Sequence, residues 1–259
     1  MNTAGRLLSI YDRLTGQGWP QDKPMVWIWA EIFEIPHSAQ HVEDCVVTCL
    51  LAMRAEIDLL RSKLLSLGVS DDLTHPGLPR LRNATSTIFL NSQWNGIREE
   101  TSKPENRIPI LWANWALRNE DEADLPAEEL AALRGKLDAL ETSLQDTEMT
   151  SYLRSFVQRQ IDVIRTALRV YRVQGVMPIE QALQQIAGAY TIEKTRVEAE
   201  LAQASEPAKN LLARVGALIK DTADVADRLD KIRKAGVGAY TLAASVGPIL
   251  LAWGQNLLK

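Results

Sequence analysis

Cysteine, histidine and phenylalanine are scarce in this chain of 259 residues, which holds two Cys, three His and three Phe. Cys45 and Cys49 lie one helical turn apart inside a helical pattern, so they read as reduced core residues and not as a disulfide framework. The 14 Gly and 11 Pro are too dispersed for a collagen-like or low-complexity chain. Excess charge is also lacking: a net charge of -4 creates no bulk field that would select nucleic acid. Catalytic signatures are missing. The sequence contains no GxSxG, P-loop, dinucleotide fingerprint or HExxH. His75 stands alone beside Pro76, and the carboxylate pairs Asp71-Asp72 and Glu99-Glu100 suit solvated loops and helix ends. No enzyme activity and no cofactor are expected. Residues 1–14 carry one early Arg, no continuous apolar stretch and no small-residue cleavage site, so a cytoplasmic body is expected rather than a secreted one.

What the chain has in quantity is hydrophobic residues, 46%, arranged at three- and four-residue steps in long Leu/Ala/Glu/Arg-rich runs. The expected fold class is all-α: a multi-helix bundle of long amphipathic helices with a C-terminal membrane-length helix. The first 36 residues have the least regular pattern. Residues 16–20 read as a turn, and residues 25–35 are open between a buried strand and a short helix. Ser38 is the expected N-cap, and Gly68 the expected stop, of a long helix. Its stripe runs through Val42, Cys45, Val46, Cys49, Met53, Ile57, Leu60, Leu64 and Leu67. After a Pro/Asp-rich loop at 69–79, helices are expected over 81–100 and 108–118. Residues 119–148 hold ten acidic side chains against two basic ones. They predict a solvated acidic helix buried along Leu130, Leu133, Leu137, Leu140 and Leu144. Further helices are expected over 150–173, 179–204 and 207–234. The expected organisation is a cytosolic body at 1–234, with a Trp-rich half at 1–118 and a long-helix half at 119–234, and a hydrophobic tail at 235–259.

The tail is the most informative segment. From Ala235 to Leu258 there are 24 residues without a charge, and about 20 residues of helix span a bilayer core. Lys231, Arg233 and Lys234 crowd the side expected to stay cytoplasmic, and Trp253 suits the opposite interface. Its apolar residues favour insertion by only about 2–4 kcal/mol together, and Gly, Ser245, Thr241, Tyr240 and Pro248 oppose it. Small residues recur every four positions, at Ala235, Ala239, Ala243 and Gly247, which allows close helix packing in lipid. A segment marginal alone but suited to close packing predicts a homo-oligomer in the inner membrane, with Thr241 and Ser245 lining a pore. An uncharged Ala/Gly-rich helix also fits the centre of a soluble bundle. The alternative is therefore a soluble helical interaction or nucleic-acid-binding regulatory protein with its tail buried.

Two constellations raise the question of ligands. His37, His41, Cys45 and Cys49 follow one another at four-residue steps. On a helix they spread along about 18 Å and the outer pair diverge by about 120°. They cannot close on one ion at 2.0–2.3 Å, and no metal is expected. On the helix over 150–173, Arg154, Arg165, Arg169 and Arg172 project within about 60° of one another. Aligned guanidiniums suit phosphates, but pairing with the acidic helix at 119–148 is the favoured expectation. Six of the seven Trp lie in the first half. Trp112 and Trp115 are spaced to share a helix face, and aromatics near Arg80 and Arg82 offer stacking for single-stranded bases. Burial in the core is the commoner fate of Trp.

A cytosolic helical body followed by the membrane-length segment at 231–259 resembles membrane effectors of bacterial anti-phage defence. It is most similar in layout to the channel-forming component of Hailong-type systems. The resemblance implies a homo-oligomeric pore that depolarises the cell. It also implies an inhibitory nucleotide or single-stranded oligonucleotide ligand made by a companion enzyme.

Overall fold

The computed structural model describes residues 1–39 and 41–233, the side chains of the last four excepted. Within them the chain is all-helical, with ten α-helices and one isolated β-bridge, Pro24 to Gln93. It divides into two compact units. The first comprises Met1–Glu122 with Arg172–Gly175; the second comprises Ala123–Tyr171 with the described residues from Val176 onward.

The first unit holds α1 (Thr3–Gly16), α2 (Met25–Ile32), α3 (Val42–Ser66), α4 (Gly77–Ala84), α5 (Asn95–Thr101) and α6 (Pro104–Ala116). Residues 1–14, irregular to the eye, form α1. Its N-cap is Asn2, whose side chain accepts a 2.9 Å bond from the Gly5 amide. The ambiguous 25–35 segment is helical over Met25–Ile32. Met25, Val26, Ile28, Trp29, Ala30 and Ile32 are all buried, so there is no polar face to reveal the helical period. Two of its orphan amides, those of Met25 and Val26, donate to the carbonyls of Ser92 and Leu90 at 2.9 Å.

The helix expected from Ser38 starts at Val42 instead, because Ser38 lies in a turn closed by the Ala39 amide on the Pro36 carbonyl. At its other end Gly68 has a φ of +79°. The Gly68 amide donates to Leu65 and the Val69 amide to Leu64, the paired bonds of a Schellman stop. The helix expected over 81–100 is broken into α4, a 3-10 turn at Thr87–Phe89, and α5. The Ser, Thr and Asn residues between them compete with the helix for backbone bonds. Thr85, for example, caps the Arg82 carbonyl at 2.7 Å. α1 packs on α2, α3 and α6, and α4 packs on α5 and α6. A Cβ at Gly77 would lie 2.4 Å from the Asn106 carbonyl oxygen, which is how closely α4 meets α6.

The second unit holds α7 (Ala127–Asp146), most of α8 (Ser151–Gln174), α9 (Met177–Ala202) and α10 (Glu206–Arg233), joined by short connections. The leucine stripe of α7 is buried at Leu130, Leu133, Leu137, Leu140 and Leu144. It shares one core with Phe156, Val157, Ile161, Ile164 and Leu168 of α8, Leu183 and Ile186 of α9, and Leu211, Val215 and Ile219 of α10. Tyr190 is buried with its hydroxyl 3.2 Å from Glu198. Burial first, and the Glu198 charge second, push its phenol up to about 12.

Candidate functional site

The guanidiniums of α8 have protein partners. Arg154 donates to the Leu144 and Thr147 carbonyls, the latter at 2.7 Å, and so satisfies the open end of α7. Arg165 forks onto two α7 carboxylates, Asp138 and Glu141, at 2.8 Å each. Arg169 is half-buried. Arg172 belongs to the first unit, where it shares Glu34 with Arg13. The four arginines therefore do not form one surface within one unit. Of the other two anion-binding candidates, Arg80 pairs with Glu100 at 2.8 Å and Arg82 pairs with Asp58. A hydrogen bond from Lys103, and then the charge of Arg80, hold the Glu100 carboxyl below its ordinary range. Exposed pairs of this kind contribute little in water, so an incoming anion competes with weak partners.

The four His and Cys residues are dispersed. The His37 ring lies 4.9 Å from Trp27, His41 is 3.7 Å from Asp44, and Cys45 and Cys49 are buried free thiols. No group of three His, Cys, Asp or Glu able to hold a metal is found among the described residues.

A buried charge network in the first unit has no local sequence signal. Arg6, 5% exposed, donates from Nη2 to Glu56 at 2.6 Å and from Nη1 to Glu122 at 3.1 Å. It also donates to the carbonyls of Val173 and Met1 at 3.2 and 3.0 Å. Burial raises the Glu56 carboxyl above its ordinary range, and Arg6 pulls it back. The backbone of Gly175, at φ +69°, closes over this cluster, and a Cβ there would lie 2.7 Å from Arg6 Nη1. The chemistry is structural: Nε, Nη1 and Nη2 of Arg6 all donate to protein oxygens.

The tryptophans divide. Trp19, Trp29 and Trp94 are core residues. Trp112 and Trp115, with Ile108 and Leu111, are exposed on α6. The sequence signal was present: α6 is apolar on two sides, with Pro109, Ile110, Ala113 and Leu117 buried opposite. An open depression of about 600 Å³ lies beside α1, lined by Ser9, Asp12, Arg13 and Asn114 among others. Its carboxylate, Asp12, is already gripped by Arg107 at 2.7 and 2.8 Å.

Among the described residues no helix is long and apolar enough to cross a membrane. The packing positions Ala235, Ala239, Ala243 and Gly247 and the pore-lining positions Thr241 and Ser245 lie outside the described residues. No family model, no curated protein and no solved structure matches the chain.

Proposed function

We propose that this chain is a non-enzymatic membrane effector. It homo-oligomerises and places residues 235–258 of several copies in the inner membrane, forming a pore that depolarises the cell. The observation that carries the reading is the run of 24 uncharged residues behind Lys231, Arg233 and Lys234. One such crossing cannot conduct, whereas a ring of them encloses a path lined by Thr241 and Ser245. Weak individual insertion makes assembly a condition of insertion, which suits a protein kept silent until triggered.

The inhibitory ligand in this reading is anionic, a nucleotide or single-stranded oligonucleotide supplied by a companion enzyme. Arg165 and Arg169, on α8 within the second unit, are its best anchors, with Arg154 about three turns earlier on the same helix. Arg80 and Arg82 offer a separate anchor in the first unit, and Arg172 another. Displacing Asp138 and Glu141 from Arg165 exchanges partly exposed ion pairs for a more highly charged anion, which is favourable at low salt and weakens as salt rises.

Fractionation tests the reading. Full-length protein is expected in the membrane pellet and to resist carbonate extraction, and a chain ending at Lys234 is expected in the supernatant. Equal solubility and equal harmlessness of the two in cells would overturn the proposal in favour of a soluble protein with its tail buried.

A further inference from the structure

α6 is a helix with two apolar faces, only one of them covered within the first unit. Pro109, Ile110 and Ala113 are buried inside the first unit, where α6 packs on α1 and α4. On the other side Ile108 (63% exposed), Leu111 (44%), Trp112 (36%) and Trp115 (62%) stand in solvent. Their spacing of i, i+3, i+4, i+7 makes a stripe about 100° wide, the width of a helix-packing seam. Scattered exposed apolar residues need no explanation, but four on one seam, two of them Trp, mark an interaction surface.

The charges at the two ends of the stripe point to the occupant. Glu105, in the first turn of α6, lies on the same face and makes no ion pair among the described residues. At the other end the Arg118 guanidinium lies 4.5 Å over the Trp115 ring and donates to the Trp115 carbonyl at 3.1 Å. Two copies of this helix laid antiparallel about a two-fold axis bring Leu111 against Trp112 of the second copy and Ile108 against Trp115. The same register brings Glu105 against Arg118 at both ends. A two-fold contact requires such self-complementarity, residue i meeting j and j meeting i.

We infer that the exposed face of α6 is a homodimer contact, two copies pairing antiparallel through Ile108, Leu111, Trp112 and Trp115. The contact lies wholly in the first unit and does not involve residues 235–258. It therefore supplies a pairing step that stands whether or not the tail enters a membrane. A helix about 20 Å long buries less than the roughly 1,200–2,000 Å² of a standard stable interface. The contact alone is expected to be of micromolar strength.

The register makes the test specific. Glu105→Cys and Arg118→Cys are introduced singly into the full chain, solubilised in mild detergent, and treated with a short bismaleimide. Cys45 and Cys49 are buried and stay silent. A mixture of the two variants is expected to give a cross-linked dimer, and each variant alone is not, because identical positions then lie about 20 Å apart. Trp112→Ala with Trp115→Ala is expected to weaken self-association by about 30-fold or more, the scale of interface hot spots. Unchanged helical circular dichroism shows that the fold survives. Equal cross-linking by each single variant, no cross-linking in the mixture, or self-association indifferent to the Trp pair overturns the inference. So does a monomeric chain that uses these tryptophans to bind vesicles or oligothymidine instead.

Discussion

Arg6→Met is expected to destabilise the first unit by about 3 kcal/mol at pH 7, although Arg6 touches no candidate ligand site. The substitution keeps the apolar stem and removes the guanidinium that satisfies Glu56, itself 2% exposed. Breaking a buried ion pair on one side costs about 3–5 kcal/mol. Protonation of Glu56 sets a ceiling: at about 1.4 kcal/mol per pH unit between its ordinary value of 4.5 and pH 7, that ceiling is roughly 3.4 kcal/mol. The sign of the pH dependence follows. The Glu56 carboxyl is raised in the folded state, so its ionisation subtracts stability as pH climbs above the unfolded value, and removing Arg6 steepens that slope. The deficit of the variant is therefore largest at pH 7 and shrinks by about 2–3 kcal/mol on moving to pH 5. Adding Glu56→Met should recover most of the loss at pH 7, because the buried pair is then replaced by apolar side chains. Urea unfolding followed by Trp fluorescence reads this unit, since Trp29 and Trp94 lie in its core. A deficit independent of pH would contradict the assignment of the cost to Glu56.

Phe156→Ala is expected to remove a similar share of stability from the second unit. Its ring has no exposure and sits in the core shared by all four helices of that unit. Truncations of buried Phe cost about 3–5 kcal/mol through lost transfer energy and the cavity left behind. Against a domain stability of about 5–15 kcal/mol, the melting temperature should fall by roughly 10–20 °C. Phe156→Leu retains most of the volume and should lose markedly less. The described tryptophans all belong to the first unit. The far-ultraviolet helical transition should therefore shift more than the Trp fluorescence transition does.

The contrast between these sites explains what the sequence could disclose. The leucines of α7 are legible because one face is buried and the other solvated, which prints the helical period directly into the pattern. α2 is illegible by the same logic: buried on most sides, it has one polar residue, Glu31, too few to mark the turns. The interruption between α4 and α5 was hidden because residues 85–94 contain neither Gly nor Pro to announce a break. Local side-chain bonds, such as Thr85 to Arg82, end the helix regardless. The Arg6 network could not be read at all. Arg6 lies 50 residues from Glu56 and 116 from Glu122, and only tertiary packing joins them. The arginines of α8 were legible as a stripe, but a linear pattern does not say whether a guanidinium faces a ligand or a carboxylate. Arg165 faces Asp138 and Glu141. The second apolar face of α6 was visible in the spacing of Ile108, Leu111, Trp112 and Trp115, while its exposure depended on which side α1 and α4 cover.

In the proposed account, helical units bring copies together and the uncharged segment at 235–258 acts only in company. The small side chains at Ala235, Ala239, Ala243 and Gly247 give the packing its basis, and the weak hydrophobicity makes a lone insertion unprofitable. Ion conductance tests this most directly. Purified full-length protein added to a planar bilayer should produce discrete conductance steps that rise steeply with protein concentration and vanish in the chain ending at Lys234. A full-length protein that leaves the bilayer silent, or a truncated chain that conducts equally, would contradict the account.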